Sequence, residues 1–78
     1  MNLRNNQLKN LSKNVFNGLD SCLISLKLEM NKLEFIKSFY FKRLNSLKFI
    51  DLSSNSISSI DLTSFDGLYN LIELNLSN

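Results

Sequence analysis

Residues 47–60 read Leu47-Lys48-Phe49-Ile50-Asp51-Leu52-Ser53-Ser54-Asn55-Ser56-Ile57-Ser58-Ser59-Ile60. From Ile50 to Leu52 apolar and polar residues alternate, as they do in a strand that buries one face. Beyond Leu52 the alternation stops, a single Asn55 stands among serines, and the apolar residues thin out to Ile57 and Ile60. A short strand that turns away at a carboxamide fits this pattern; a helix does not.

Ile50, Leu52, Asn55, Ile57, Ile60, Phe65 and Leu68 stand at offsets 0, 2, 5, 7, 10, 15 and 18. The same offsets hold Leu26, Leu28, Asn31, Leu33, Ile36, Phe41 and Leu44, and again Met1, Leu3, Asn6, Leu8, Leu11, Phe16 and Leu19. For a chain of this composition, chance agreement at every template position is on the order of one in a billion before frame choice is allowed for. Leu71, Leu74 and Leu76 open a fourth unit. The step from Asn31 to Asn55 is 24 residues and that from Asn6 to Asn31 is 25, which places one extra residue near Cys22, outside the strands.

A fixed period of this length means stacked coils. Strands of the same direction one period apart, joined by a return path of about 20 residues, must pair in parallel. Residues 1–78 therefore form one repeat array, with strands expected near 1–4, 25–29, 49–53 and 73–77 and little regular helix between them. Asn6, Asn31 and Asn55 form an expected structural ladder, because a carboxamide can satisfy turned backbone groups in its own coil and the next. Phe16, Phe41 and Phe65 recur where the return path needs a large apolar filler, so a stacked spine is expected rather than a ligand cage.

These residues resemble the leucine-rich repeat family, whose pattern L-x-x-L-x-L-x-x-N-x-L appears as Leu23, Leu26, Leu28, Asn31, Leu33 and as Leu47, Ile50, Leu52, Asn55, Ile57. The resemblance covers the whole chain. Its 24-residue step, with a Phe in the variable half, is similar to the typical subclass of Toll-like receptors and small leucine-rich proteoglycans. It implies an α/β fold, a right-handed β-α superhelical solenoid with a short parallel sheet on the concave face and mostly irregular return paths. The parent it implies is a receptor-type or matrix-type protein, extracellular or at the cell surface, that binds a protein ligand without catalysis. An intracellular scaffold or regulatory subunit, cytoplasmic, shares the same geometry. An enzyme carrying the array as an appendage is a third context.

Composition narrows the chemistry. The 78 residues include 16 Leu, 12 Asn and 12 Ser, but no His, Trp or Pro and one Cys. Without His the commonest general base and metal ligand are missing, and Cys22 alone makes neither an intrachain disulfide nor a zinc site, so no enzyme and no metal or other cofactor is expected. Gly18 and Gly67 are too isolated for a phosphate-cradling loop. Apolar runs are a few residues long, far below the roughly 20 of a membrane span, so no membrane contact by this segment is expected. The net charge of +2 is too small to imply nucleic acid, although the first 48 residues hold all nine bases and the last 30 hold none. Lys37 and the pair Lys42-Arg43 read as part of a solvated return path. The sequons Asn10-Leu11-Ser12 and Asn75-Leu76-Ser77 are no more than this Asn and Ser content generates by chance.

Function is sought on the strand face left polar. With the strands in register the outward side chains form lateral rows, among them Ser25, Phe49, Glu73; Asn2, Lys27, Asp51, Asn75; and Arg4, Glu29, Ser53, Ser77. Lys27 should face Asp51 and Arg4 should face Glu29. Lys27, Phe49, Asp51 and Glu73 are the candidate ligand-binding residues, with Phe49 as the aromatic anchor. The alternative is that the pairs do no more than offset one another in solvent. Leu3, Leu8 and Leu11 at one end and Leu71, Leu74 and Leu76 at the other imply self-association through uncapped ends and marginal stability in isolation.

Overall fold

A computed structural model describes the chain apart from residues 12–14, 17, 19–21, 39, 42–43, 62 and 78. Its strands are β1 (Ser25–Lys27), β2 (Phe35–Ile36), β3 (Phe49–Asp51), β4 (Ser59–Ile60) and β5 (Glu73–Asn75). They form two parallel sheets, ordered β1-β3-β5 and β2-β4. The register repeats the sequence period: Leu26 pairs with Ile50 and Ile50 with Leu74, while Ile36 pairs with Ile60. Equivalent template residues thus stack directly above one another.

The strands are shorter than the alternation suggested. Met30 and Ser54 hold left-handed backbone conformations, with φ of 60° and 55°, and Asn5 takes the same conformation at 57°. A left-handed residue cannot continue a pleated strand, so regular strand stops at Lys27 and Asp51, short of the expected residues 29 and 53, although backbone bonds between coils run on, Leu28 donating to the Asp51 carbonyl at 2.8 Å and Met30 to that of Ser53 at 3.1 Å. The expected strand at 1–4 is reduced to a bridge between Asn2 and Lys27. Leu3 donates to the Lys27 carbonyl at 2.8 Å and Lys27 to that of Met1 at 3.0 Å.

No helix occurs among the described residues, so the helical half of the expected β-α unit is absent. The return paths run instead as turns closed across three residues: Tyr40 to Lys37, Leu44 to Phe41 and Leu47 to Leu44, then Ser64 to Asp61, Leu68 to Phe65 and Leu71 to Leu68. Asp61, Thr63, Ser64, Gly67 and Asn70 favour turns over helix by bonding their own backbone or by accepting positive φ, and Gly67 sits at φ 82°. The second sheet, β2 with β4, lies where these return paths begin.

The core runs between the sheets and the turns. Leu26, Leu28, Leu33, Phe41 and Leu47 are fully buried, while Ile57, Phe65, Leu71 and Leu74 in the following coil are only partly so. Phe41 stacks on Phe65 with ring centroids 5.7 Å apart and planes 13° from parallel, and Tyr40 meets Phe41 edge-on at 6.2 Å. Phe16 is also buried. Buried Ser64 donates its hydroxyl to the Ile36 carbonyl at 3.0 Å, a tie between coils that the apolar template could not reveal.

Candidate functional site: the polar face of the strand sheet

Leu26, Ile50 and Leu52 point into the core, so alternation turns Lys27, Phe49, Asp51 and Glu73 to the opposite face. Register places Lys27 beside Asp51, and Phe49 beside both Ser25 and Glu73. All four candidate residues therefore share the β1-β3-β5 sheet. Lys27, Phe49 and Glu73 are exposed and Asp51 is half-buried.

Polar atoms on this face are largely engaged by the chain itself. Asp51 accepts from the Ser53 amide at 3.0 Å and from its hydroxyl at 2.6 Å. Asn2 accepts from the Arg4 amide and Asn75 from the Ser77 amide, each at 3.0 Å. A carboxyl or carboxamide that binds the backbone two residues on is an Asx turn, and it bends the chain out of the strand. The signal is present in the sequence as Asp51-Leu52-Ser53 and Asn75-Leu76-Ser77, a polar residue followed two places on by serine. Desolvation pushes the Asp51 carboxyl up, but the Ser53 hydroxyl and amide and the charge of Lys27 outweigh it. The group titrates below its ordinary value of 3.8 as a result.

Arg4 departs from its expected partner. Its guanidinium donates to the Met30 sulfur at 3.3 Å rather than to Glu29, whose Oε1 is buried with no hydrogen-bond partner among the described residues.

The asparagines link coil to coil. Asn31 is buried; its Oδ1 accepts from the Asn6 and Leu8 amides at 2.9 and 3.0 Å, and its Nδ2 donates to the Leu3 and Leu28 carbonyls at 2.9 Å. Asn55, half-buried, accepts from the Leu33 amide at 3.1 Å and donates to the Leu28 and Leu52 carbonyls at 3.0 and 2.9 Å. Each side chain reaches back into the preceding coil. Asn6, in the first coil, is exposed.

Where the chain enters the strands, Ile24, Lys48 and Ile72 form a further row, tied by bonds from Lys48 to the Ile24 carbonyl and from Ile72 to the Lys48 carbonyl, each 2.8 Å. All three are exposed, Ile24 by 44% and Ile72 by 70%. The period exposes this row, since Ile24 and Ile72 lie two steps apart, but the template of buried positions passes over it. On the opposite flank a depression of about 480 Å³ is bounded by Asn5, Gln7, Met30, Asn31, Lys32 and Ser54. Cys22 is an exposed free thiol, and no group of three His, Cys, Asp or Glu side chains converges among the described residues. Lys37 is exposed on the return path, and Lys42 and Arg43 lie outside the described residues.

Comparison with known proteins agrees with this geometry. A leucine-rich repeat family model matches residues 21–78. Lumican from Oryctolagus cuniculus is 42% identical over 62 residues, covering 77% of this chain and 32% of its own length. Osteomodulin from Bos taurus is 38% identical over 76 residues, 97% of this chain and 17% of the relative, and lumican from Homo sapiens is 42% identical over 62 residues, 77% and 18%. The chain thus spans a third or less of the length of these relatives. No solved structure gives a significant match.

Proposed function

The chain belongs to the leucine-rich repeat family, and from that premise we propose that it is a non-catalytic protein-binding module of a matrix-type or receptor-type extracellular protein. The observation that carries this reading is the β1-β3-β5 sheet, whose outward face no described part of the chain covers. Parallel sheets are ordinarily buried on both faces, so an uncovered one is a surface suited to a partner. Its mixture of Lys27, Phe49, Asp51 and Glu73 suits a protein more than a phosphate backbone. Extracellular placement is supported by the likeness to lumican and osteomodulin; a cytoplasmic scaffold draws no support from these relatives.

Within that face Lys27 and Phe49 are the contact residues and Asp51 shapes the platform, because its carboxylate is held by Ser53. The test is binding of the intact protein to a matrix-protein panel, with Phe49→Ala and Lys27→Ala compared against Lys37→Ala on the return path. Phe49→Ala should weaken binding by about 1 kcal/mol or more and Lys37→Ala should leave it unchanged. Loss with Lys37→Ala and none with the sheet variants would move the site to the convex side.

A further inference from the structure

We propose that Asp66-Gly67 is a site of spontaneous backbone modification, at which the aspartyl side chain closes to a succinimide on the Gly67 nitrogen and reopens as isoaspartate. Nothing in this chemistry depends on the protein-binding reading above. In the closing step the Gly67 nitrogen attacks the protonated carboxyl carbon of Asp66. A carbon–nitrogen bond forms, and the amide proton leaves with the carboxyl hydroxyl as water. Water then adds to one of the two ring carbonyls. Opening at the original backbone carbonyl leaves the Gly67 nitrogen on the side-chain carbon, so the main chain gains one methylene with no net change of mass and no oxidant or reductant.

The fold treats this aspartate differently from the other described ones. Asp51 is held by the Ser53 amide and hydroxyl at 3.0 and 2.6 Å, and Asp61 by those of Thr63 at 3.1 and 3.0 Å. Each is followed by a leucine, whose side chain crowds the amide nitrogen, and the Leu52 amide is already bound to the Asn75 carbonyl at 2.8 Å. Asp66 is exposed, and its carboxyl makes no hydrogen bond or ion pair among the described residues. The nucleophile is free as well. Asp66 and Leu68 donate their amides to the Thr63 and Phe65 carbonyls at 3.1 and 3.3 Å, but the Gly67 amide between them donates to no described residue. Gly67 stands at φ 82° in open space, where an added β-carbon would meet nothing within 4 Å, and without a side chain its nitrogen is unshielded. The product reaches the core. Phe65 stacks on Phe41, Leu68 is buried, and the 3.3 Å bond between Phe65 and Leu68 closes the turn that seats both. An extra methylene within that turn breaks it and loosens the third coil.

The test is incubation of the intact folded protein in mildly acidic buffer, then labelling with an isoaspartyl methyltransferase and a radioactive methyl donor. Peptide mapping separates Asp66 from Asn17-Gly18, which can form the same ring. Two references run beside it: the Asp66→Glu variant, which keeps the charge but needs a larger ring, and a synthetic Phe-Asp-Gly-Leu peptide. Label is expected at Asp66 of the folded protein at a rate close to that of the free peptide, and should be lost in Asp66→Glu. None is expected at Asp51 or Asp61. Strong protection of Asp66 relative to the peptide would overturn the site, whether it comes from the turn or from Lys42, which stands one period earlier and lies outside the described residues. Equal labelling of Asp51 or Asp61 would overturn it too. Converted protein, isolated by reverse-phase chromatography and refolded, should unfold at lower denaturant concentration than the parent, and an unchanged midpoint would overturn the link to the Phe65 turn.

Discussion

The coil built on Asn31 and the coil built on Asn55 have the same template and different surroundings. Leu33, Ile36 and Phe41 of the first are at most 1% exposed, whereas their equivalents Ile57, Ile60 and Phe65 are only partly buried. Leu52 is 1% exposed and Leu76, one period later, 43%. Asn31 is 6% exposed and receives two amides of the preceding coil, while Asn55 is half-buried. A repeat's stability is therefore a property of its neighbours as much as of its sequence, as nearest-neighbour models of solenoids require.

The sharpest way to break that comparison is to remove the aromatic from each coil. Phe41→Ala should cost about 3 to 5 kcal/mol and Phe65→Ala about 1 to 3, since Phe65 already keeps one side toward solvent. Equal losses in denaturant unfolding would mean that the two coils are sealed alike. Asn31→Ala comes next, at about 2 to 3 kcal/mol, because it strands the Asn6 and Leu8 amides and the Leu3 carbonyl. Asn55→Ala should lie nearer 1 to 2, and Asn6→Ala below about 0.5. A reversed order would show that burial does not set the worth of this link.

Smaller still is the effect of acid on the Asn55 coil. Asp51 titrates below 3.8 in the folded chain, so its contribution is fully present above the unfolded value and is lost as pH falls through the lower, folded one. Stability should decline on acidification below about pH 4, and Asp51→Asn should make that decline shallower. A pH profile identical to that of the parent would remove Asp51 from the account. Ser58→Ala, last in order, should change stability by no more than about 0.5 kcal/mol, its hydroxyl reaching the Glu34 carbonyl at a long 3.3 Å in an exposed position.

Register and core are legible in the sequence because the period holds at 24 residues from Leu26 onward and slips by one only before it, so Leu26, Ile50 and Leu74 pair as counted. What escaped the count has local causes. β4 was hidden because Ser59 carries no strand signal and pairs only because Phe35 stands one period earlier. Strand ends were misjudged because left-handed backbone at Met30 and Ser54 leaves no mark in hydropathy. The candidate residues were legible as a face, but not which of their atoms were already bound; that Asp51 serves Ser53 is a matter of two-residue geometry. Ile24 and Ile72 were passed over because a template of buried positions attends to what goes in, and these stay out.

The direction of the asparagine links bears on how such a chain is made. Asn31 holds amides at 6 and 8, and Asn55 holds the amide at 33, so each of these two coils is closed by a residue synthesised after it. On a ribosome, which releases the N-terminal end first, a coil would emerge with its turn amides open and be sealed only when the following asparagine cleared the exit. Folding would then advance with elongation at a lag of one repeat, and a pause in translation would leave one unsealed coil at the growing end.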